Sequence, residues 1–259
     1  MLTLEPARAA ALEAVEAMVA GVESATDADW ALTVTPCEGW SFTDLAAHVL
    51  GALLIHTEAY ERMLGQETRR VLRTLPDDRH VIVDRLVETR KLFGEALEAL
   101  TEDVVKDGLW QHAQLAKMGI GVPGPLAVNL TVMEFGLHRT DVELSCGRPE
   151  VVADDTVTAL LGAVPGVIQQ AARGGQKAGT VPVPEAPMGY RIEAGATKLV
   201  FAFDEKWSLR GEPADPCVVK GSPLDIAMFL SGRRSADDAR LEVSDLEAAR
   251  KFKQFLPGP

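Results

Sequence analysis

The stretch TPCEGWSFTDLAAHVLGALLIHTEAYERMLG, Thr35–Gly65, decides how the first half of this chain is read. Pro36 and Gly39 keep its beginning out of a helix. Ser41 followed by Asp44 has the spacing of a capping box, in which each side chain satisfies a backbone N–H of the other residue. A helix is therefore predicted from that point to about Gly65. Leu45, His48, Ala52 and Ile55 fall on one stripe of it, facing the interior of a bundle.

Outward from this stretch the same periodicity recurs. Residues 4–24 place Leu12, Val15, Val19 and Val22 on one helical face. A further helix covers about 78–103, with Ile82, Leu86, Phe93, Leu97 and Leu100 inward. Another begins after the break Pro123-Gly124-Pro125 and ends near Gly147, with Pro149 beyond it. Four long amphipathic helices read as a four-helix bundle. A fifth helix over about 153–173 is expected to end in Arg173-Gly174-Gly175. The Gly- and Pro-rich run GGQKAGTVPVPEAPMG then reads as a linker. The short alternating runs YRIEA, TKLVFAF, KWSLRG and PCVVKG read as strands of a small antiparallel sheet. Ser222 and Pro223 open a helix through Leu230, and VSDLEAARKFKQFL makes a closing one. The expected fold class is α plus α+β: a bundle over residues 1–150, then a small α/β domain over 151–259.

The composition excludes several partners. A net charge of −12 over 259 residues leaves no basic excess for nucleic acid or an anionic membrane surface. No apolar run approaches the roughly 18 residues needed to span a bilayer. Glu13, Glu16 and Glu23 interrupt the N-terminal helix, which therefore lacks the charge-free core of a signal peptide. Cys37, Cys146 and Cys217 are widely spaced and form no CxxC pair, as in a reducing compartment. A cytoplasmic protein is expected.

Glu134 and His138 lie four residues apart and so share a face of the fourth long helix, with Leu130 and Asp141 beside them. With His48 from the second helix they make two imidazoles and one carboxylate, a donor set that suits zinc or a similar divalent ion. Three protein donors leave one tetrahedral position open, the pattern of catalytic sites. Spacing alone is met as well by a hydrogen-bonded core histidine and a chance ExxxH pair.

The segments TPCEGWSFTDLAAHVLG and EFGLHRTDVELSCGRP resemble the two most recognisable stretches of the mycothiol-dependent maleylpyruvate isomerase family, part of the DinB-like superfamily of metal-binding bundles. The resemblance rests on Thr35, Cys37, Gly39, Trp40, Asp44, Leu45 and His48, and on Glu134, His138, Arg139, Asp141, Gly147 and Arg148. FAFDEKWSLRG and GSPLDIAMFLSGR are similar to the family's small second domain, itself like sterol carrier domains. The resemblance implies metal ligation by His48, Glu134 and His138, and mycothiol as a second cofactor bound at the open position. It implies a thiolate that adds to an electrophile, either isomerising maleylpyruvate or being transferred. Metal-binding members without turnover, and members recruited to biosynthesis without the thiol, are the alternatives.

By the same resemblance Arg233 of SGRR is expected to hold a substrate carboxylate, in preference to Arg234; a solvated helix end serves equally for either. Asp141 is placed either behind a ligand histidine or in a surface or interhelical hydrogen bond. Trp40 is expected as a packing anchor ahead of the second helix, and Cys37 as a small packing residue. His56, about 80° round the helix from His48, is read as structural or exposed. His80 at a helix start, His112 in a loop, and RGGQKAG, which lacks a phosphate loop's Lys-Ser/Thr ending, are given no role.

Overall fold

A computed structural model describes residues 1–34, 37, 39–68, 74–117, 119, 121–211 and 213–257. Thr35 and Pro36, on which part of the sequence argument rests, lie outside the described residues. The chain divides into two compact units, Met1–Ala159 and Leu160–Pro259.

The first unit opens with α1 (Leu4–Glu23) and the short α2 (Asp27–Trp30), followed by α3 (Phe42–Met63) and α4 (Arg79–Glu98). Then come α5 (Glu102–Asp107), β1 (Leu109–Trp110), α6 (Ala113–Lys117), β2 (Val122–Pro123) and α7 (Gly124–Ser145). α1, α3, α4 and α7 pack on one another as the bundle. The capping box is realised: Asp44 N–H donates to Ser41 Oγ at 3.1 Å, and Ser41 N–H donates to Asp44 Oδ2 at 2.9 Å. The predicted third helix is shorter than expected. It stops at Glu98, because Thr101 caps a separate α5 through the Val104 N–H. Gly147 ends α7 in the left-handed conformation, with φ +68°.

The core of this unit is built from Leu45, Leu50, Leu53, Tyr60, Phe93 and Phe135, all fully buried. On the expected α3 stripe Leu45 and Ala52 are buried, but Ile55 is 40% exposed. Three residues advance a helix by 300°, so a stripe extended by i+3 steps drifts off the core face.

The boundary between the units falls within α8 (Asp154–Ala178). This helix runs through Gly174 and Gly175, where the sequence reading ended it. Each glycine costs a helix only about 1 kcal/mol relative to alanine. Gly175 also serves a close approach, since a Cβ there would stand 2.3 Å from Val181 Cγ2 as the chain turns back. Gly179, with φ +74°, marks the turn just past the helix end.

The second unit continues with β3 (Met188–Ala194), β4 (Thr197–Asp204), β5 (Lys206–Ser208), β6 (Cys217–Gly221), α9 (Pro223–Leu230) and β7 (Glu242–Val243). The sheet order is β5-β4-β3-β6-β7. β3 and β4 form a hairpin around Gly195, which has φ +58°. The sheet is mixed rather than antiparallel as expected, because β6 lies parallel to β3 with Tyr190 opposite Cys217. The closing helix is two short pieces, α10 (Leu246–Arg250) and α11 (Phe252–Phe255), parted at Lys251. Phe252 then sits fully buried against Tyr190, Phe201 and Phe229, with ring centroids 5.0, 5.6 and 5.1 Å away. Among the described residues no helix is long and apolar enough to cross a membrane.

Candidate metal centre

α3 and α7 pack side by side, which brings His48 to a pair of residues some ninety positions further along the chain. His48 Nε2 lies 3.1 Å from Glu134 Oε1, and His138 Nε2 lies 3.5 Å from the same oxygen. The two imidazole centroids are 4.8 Å apart, with planes at 71°. His48, Glu134 and His138 each offer a donor atom, all within 4.8 Å of one another. Donors on a tetrahedral ion with bonds near 2 Å stand about 3.3 Å apart, so the residues present fit a divalent ion.

Asp141, one turn beyond His138, is fully buried, and its Oδ2 lies 2.9 Å from His138 Nδ1. Of the two placements read from sequence, the structure shows the one behind the histidine. Nδ1–H donates to that carboxylate, which leaves Nε2 as the nitrogen that faces Glu134; without an ion Nε2 also carries a proton, and a metal bound there would displace it. Burial opposes charge on both Glu134 and His138. The hydrogen bonds from His138 and His48 outweigh it and hold the Glu134 carboxyl well below the usual range. Asp141 and Glu134 likewise outweigh burial and raise His138 to about 9. Asp141→Asn keeps the shape but loses the charge, and is expected to weaken metal affinity about 10- to 100-fold. A competition titration against a chromogenic chelator measures this; wild-type affinity in the variant would remove Asp141 from the site.

Trp40 does more than anchor the start of α3. Its ring lies 4.9 Å from that of His48 and is stacked at 16° with that of His138, 6.5 Å away. Cys37 packs against the bundle core as expected, and its Sγ lies 3.7 Å from Asp141 Oδ2. Neither placement carries a signal in the sequence, since both residues sit on irregular chain with no periodicity to follow.

His56 faces inward about two turns further along α3, outside the donor set. Its Nδ1 is 2.8 Å from Thr131 Oγ1, and its ring packs on Trp110 and Phe135. Burial is the main cause of its low pKa of about 4, against a small opposing pull from Glu134 and with a small push from His112. Between pH 6.5 and 4 the unfolded chain takes up a proton that the folded one refuses. His56 therefore costs no stability above pH 6.5, and about 3 kcal/mol is lost by pH 4. Urea unfolding at pH 7 and pH 5 should show a smaller pH difference in His56→Gln than in wild type. An unchanged difference would assign the acid sensitivity to other groups. His80 is exposed in the first turn of α4, and His112 precedes α6.

In the second unit Arg234 is 6% exposed and pairs with Asp225 at 2.7 Å and Asp238 at 3.4 Å. Arg233 is half-buried, and its Nη1 donates to Ser231 O at 3.0 Å.

Fold and site together define a class: helical bundles that gather two histidines and a carboxylate on facing helices as a candidate metal centre. Residues 11–143 match the family model described as the mycothiol maleylpyruvate isomerase N-terminal domain, and the chain belongs to that family. Two crystal structures of mycothiol-dependent maleylpyruvate isomerase share the fold. One is of a histidine-to-alanine mutant, with TM-score 0.65 at 17% identity; the other has TM-score 0.59 at 18% identity. Each alignment covers 94% of this chain and 93% of the other. No curated protein matches the chain.

Proposed function

We propose that this chain is a metal-dependent enzyme that activates a low-molecular-weight thiol, mycothiol, for addition to an electrophilic small molecule, ending in isomerisation or S-transfer. The observation that carries this reading is the convergence of His48, Glu134 and His138 at spacings of 3.1 and 3.5 Å, with Asp141 behind His138. A divalent ion held there, zinc being the natural match to these donors, supplies positive charge that favours the ionised form of a thiol.

The residues of the chain do the rest. Asp141 fixes the ring of His138, and Glu134 balances charge while lying within reach of both imidazoles. Trp40 covers the two rings and keeps water from one side of them. Arg233 is the residue proposed to hold a carboxylate of the electrophile, through the paired N–H groups of its guanidinium.

The test begins with metal analysis of protein purified without chelator. It continues with mycothiol and a panel of electrophiles, maleylpyruvate among them, followed by mass spectrometry and absorbance. Adduct or isomerised product is expected only with metallated protein. Full metallation without either would leave a binding protein in place of an enzyme. Arg233→Ala is expected to raise KM for a carboxylate-bearing electrophile about 10- to 100-fold, the weight of a charge-assisted pair, with metal content unchanged. Steady-state kinetics with wild-type KM would dismiss Arg233.

A further inference from the structure

The cations of the closing segment meet carboxylates: Arg250 pairs with Asp237, and Lys251 with Glu247 at 2.8 Å. Lys253, two residues further on, does not. It is half-buried, and among the described residues its one hydrogen-bond partner is the Leu230 carbonyl at the end of α9. Its stem lies over Gly232, where a Cβ would stand 3.5 Å from Lys253 Cε and 3.8 Å from Nζ. Gly232 has φ +80°, and just beyond this turn Arg233 brings its Nη1 back to the Ser231 carbonyl at 3.0 Å. A lysine and an arginine thus hold successive carbonyls of one helix end. The partial negative charge there, about half an elementary charge, offsets only part of the lysine's own. Burial first, and then the positive charge of Arg233, bring the Lys253 amine down to about 7. An anion beside the amine would reverse the second cause and offset the first.

We propose that Lys253 and Arg233 together form a carboxylate site at the end of α9. The planar guanidinium offers paired N–H groups to a carboxylate, and the ammonium adds a compact point charge beside it. Arg234, next in the chain, takes no part, since Asp225 and Asp238 already hold it. Two cations favour an ionised carboxylate over its ester or amide, so the site excludes neutral molecules by charge. Use of the site in turnover rests on the role proposed above for Arg233. The site itself rests on Lys253, a residue to which the sequence analysis gave no part, and whose meeting with α9 spans 23 residues.

Competitive acetylation of the full-length protein with trace acetic anhydride at neutral pH, read by peptide mass spectrometry, follows the Lys253 amine directly. Succinate is expected to protect Lys253 and to leave Lys251 reacting as before. Succinamide, its neutral diamide, should protect neither. Calorimetry with succinate then weighs the contact. Lys253→Met keeps the stem and removes the charge, and is expected to weaken succinate binding about tenfold, the lower end for a charge-assisted hydrogen bond. Lys253→Arg should restore the affinity, which separates charge from packing. Wild-type affinity in Lys253→Met, with affinity lost in Arg233→Ala, would overturn the proposal; Lys253 would then be a helix cap and the reading of Arg233 would stand. Should Lys253→Met fail to fold, the wild-type labelling decides: equal acetylation of Lys253 with and without succinate sinks the site. Protection by inorganic phosphate at lower concentrations than succinate would overturn the assignment to a carboxylate.

Discussion

Alanine at His48, Glu134 or His138 is expected to bring a stoichiometric zinc content down to background while the bundle stays folded. On the proposed reading each residue would supply one of three protein bonds to the ion, and a two-donor remnant would compete poorly with water and buffer. The helices persist because their stability lies elsewhere, in fully buried residues such as Leu45, Leu50, Tyr60 and Phe135. The His48 side chain is 40% exposed, so its truncation opens no cavity in the core. Glu134→Gln refines the test, since it preserves the shape and removes the charge that offsets the ion; it should also lose most of its metal. Elemental analysis after dialysis against zinc, beside far-ultraviolet circular dichroism, measures both halves. Stoichiometric metal in all three alanine variants would end the assignment.

Phe93→Ala is expected to lower the unfolding free energy by about 3–5 kcal/mol, the range for deleting a buried phenylalanine ring. The ring is fully buried, with centroids 5.3 Å from Phe135 and 6.3 Å from Tyr60. Both neighbours lie on α3 and α7, the helices that carry the candidate donors, so the cavity is expected to loosen the frame that aligns them. Metal binding only to the folded bundle should restore part of the loss. Free zinc at a hundredfold excess over its Kd returns about 2.7 kcal/mol by mass action. Urea melts of Phe93→Ala with and without zinc should therefore differ, and melts of Phe93→Ala combined with His48→Ala should not. A zinc effect that survives loss of His48 would place the ion elsewhere.

Much of the fold was legible because its signals are local. The capping box at Ser41 and Asp44 and the glycine after α7 each concern residues within one or two turns. The strand alternation from Tyr190 onward is local too, but it reads the same for parallel and antiparallel neighbours. The direction of β6 along β3 was therefore open to misreading. The end of α8 was misplaced for a related reason. Gly174 and Gly175 look like a stop, yet the glycine is needed where Val181 folds back on the helix. That contact spans only six residues, but it forms where Gly179 turns the chain back, and glycine content alone does not tell a close approach from a stop.

By itself the sequence determined which residues could act as donors: the spacing of Glu134 and His138 puts them on one helical face whatever surrounds them. Only the tertiary structure decided that His48 meets them, that Asp141 turns inward behind His138, and that Trp40 lies over both rings. A helix fixes neighbours three and four residues apart through its own backbone. A contact spanning 86 residues depends instead on how α3 and α7 pack, which is settled by the whole buried surface of the bundle at once.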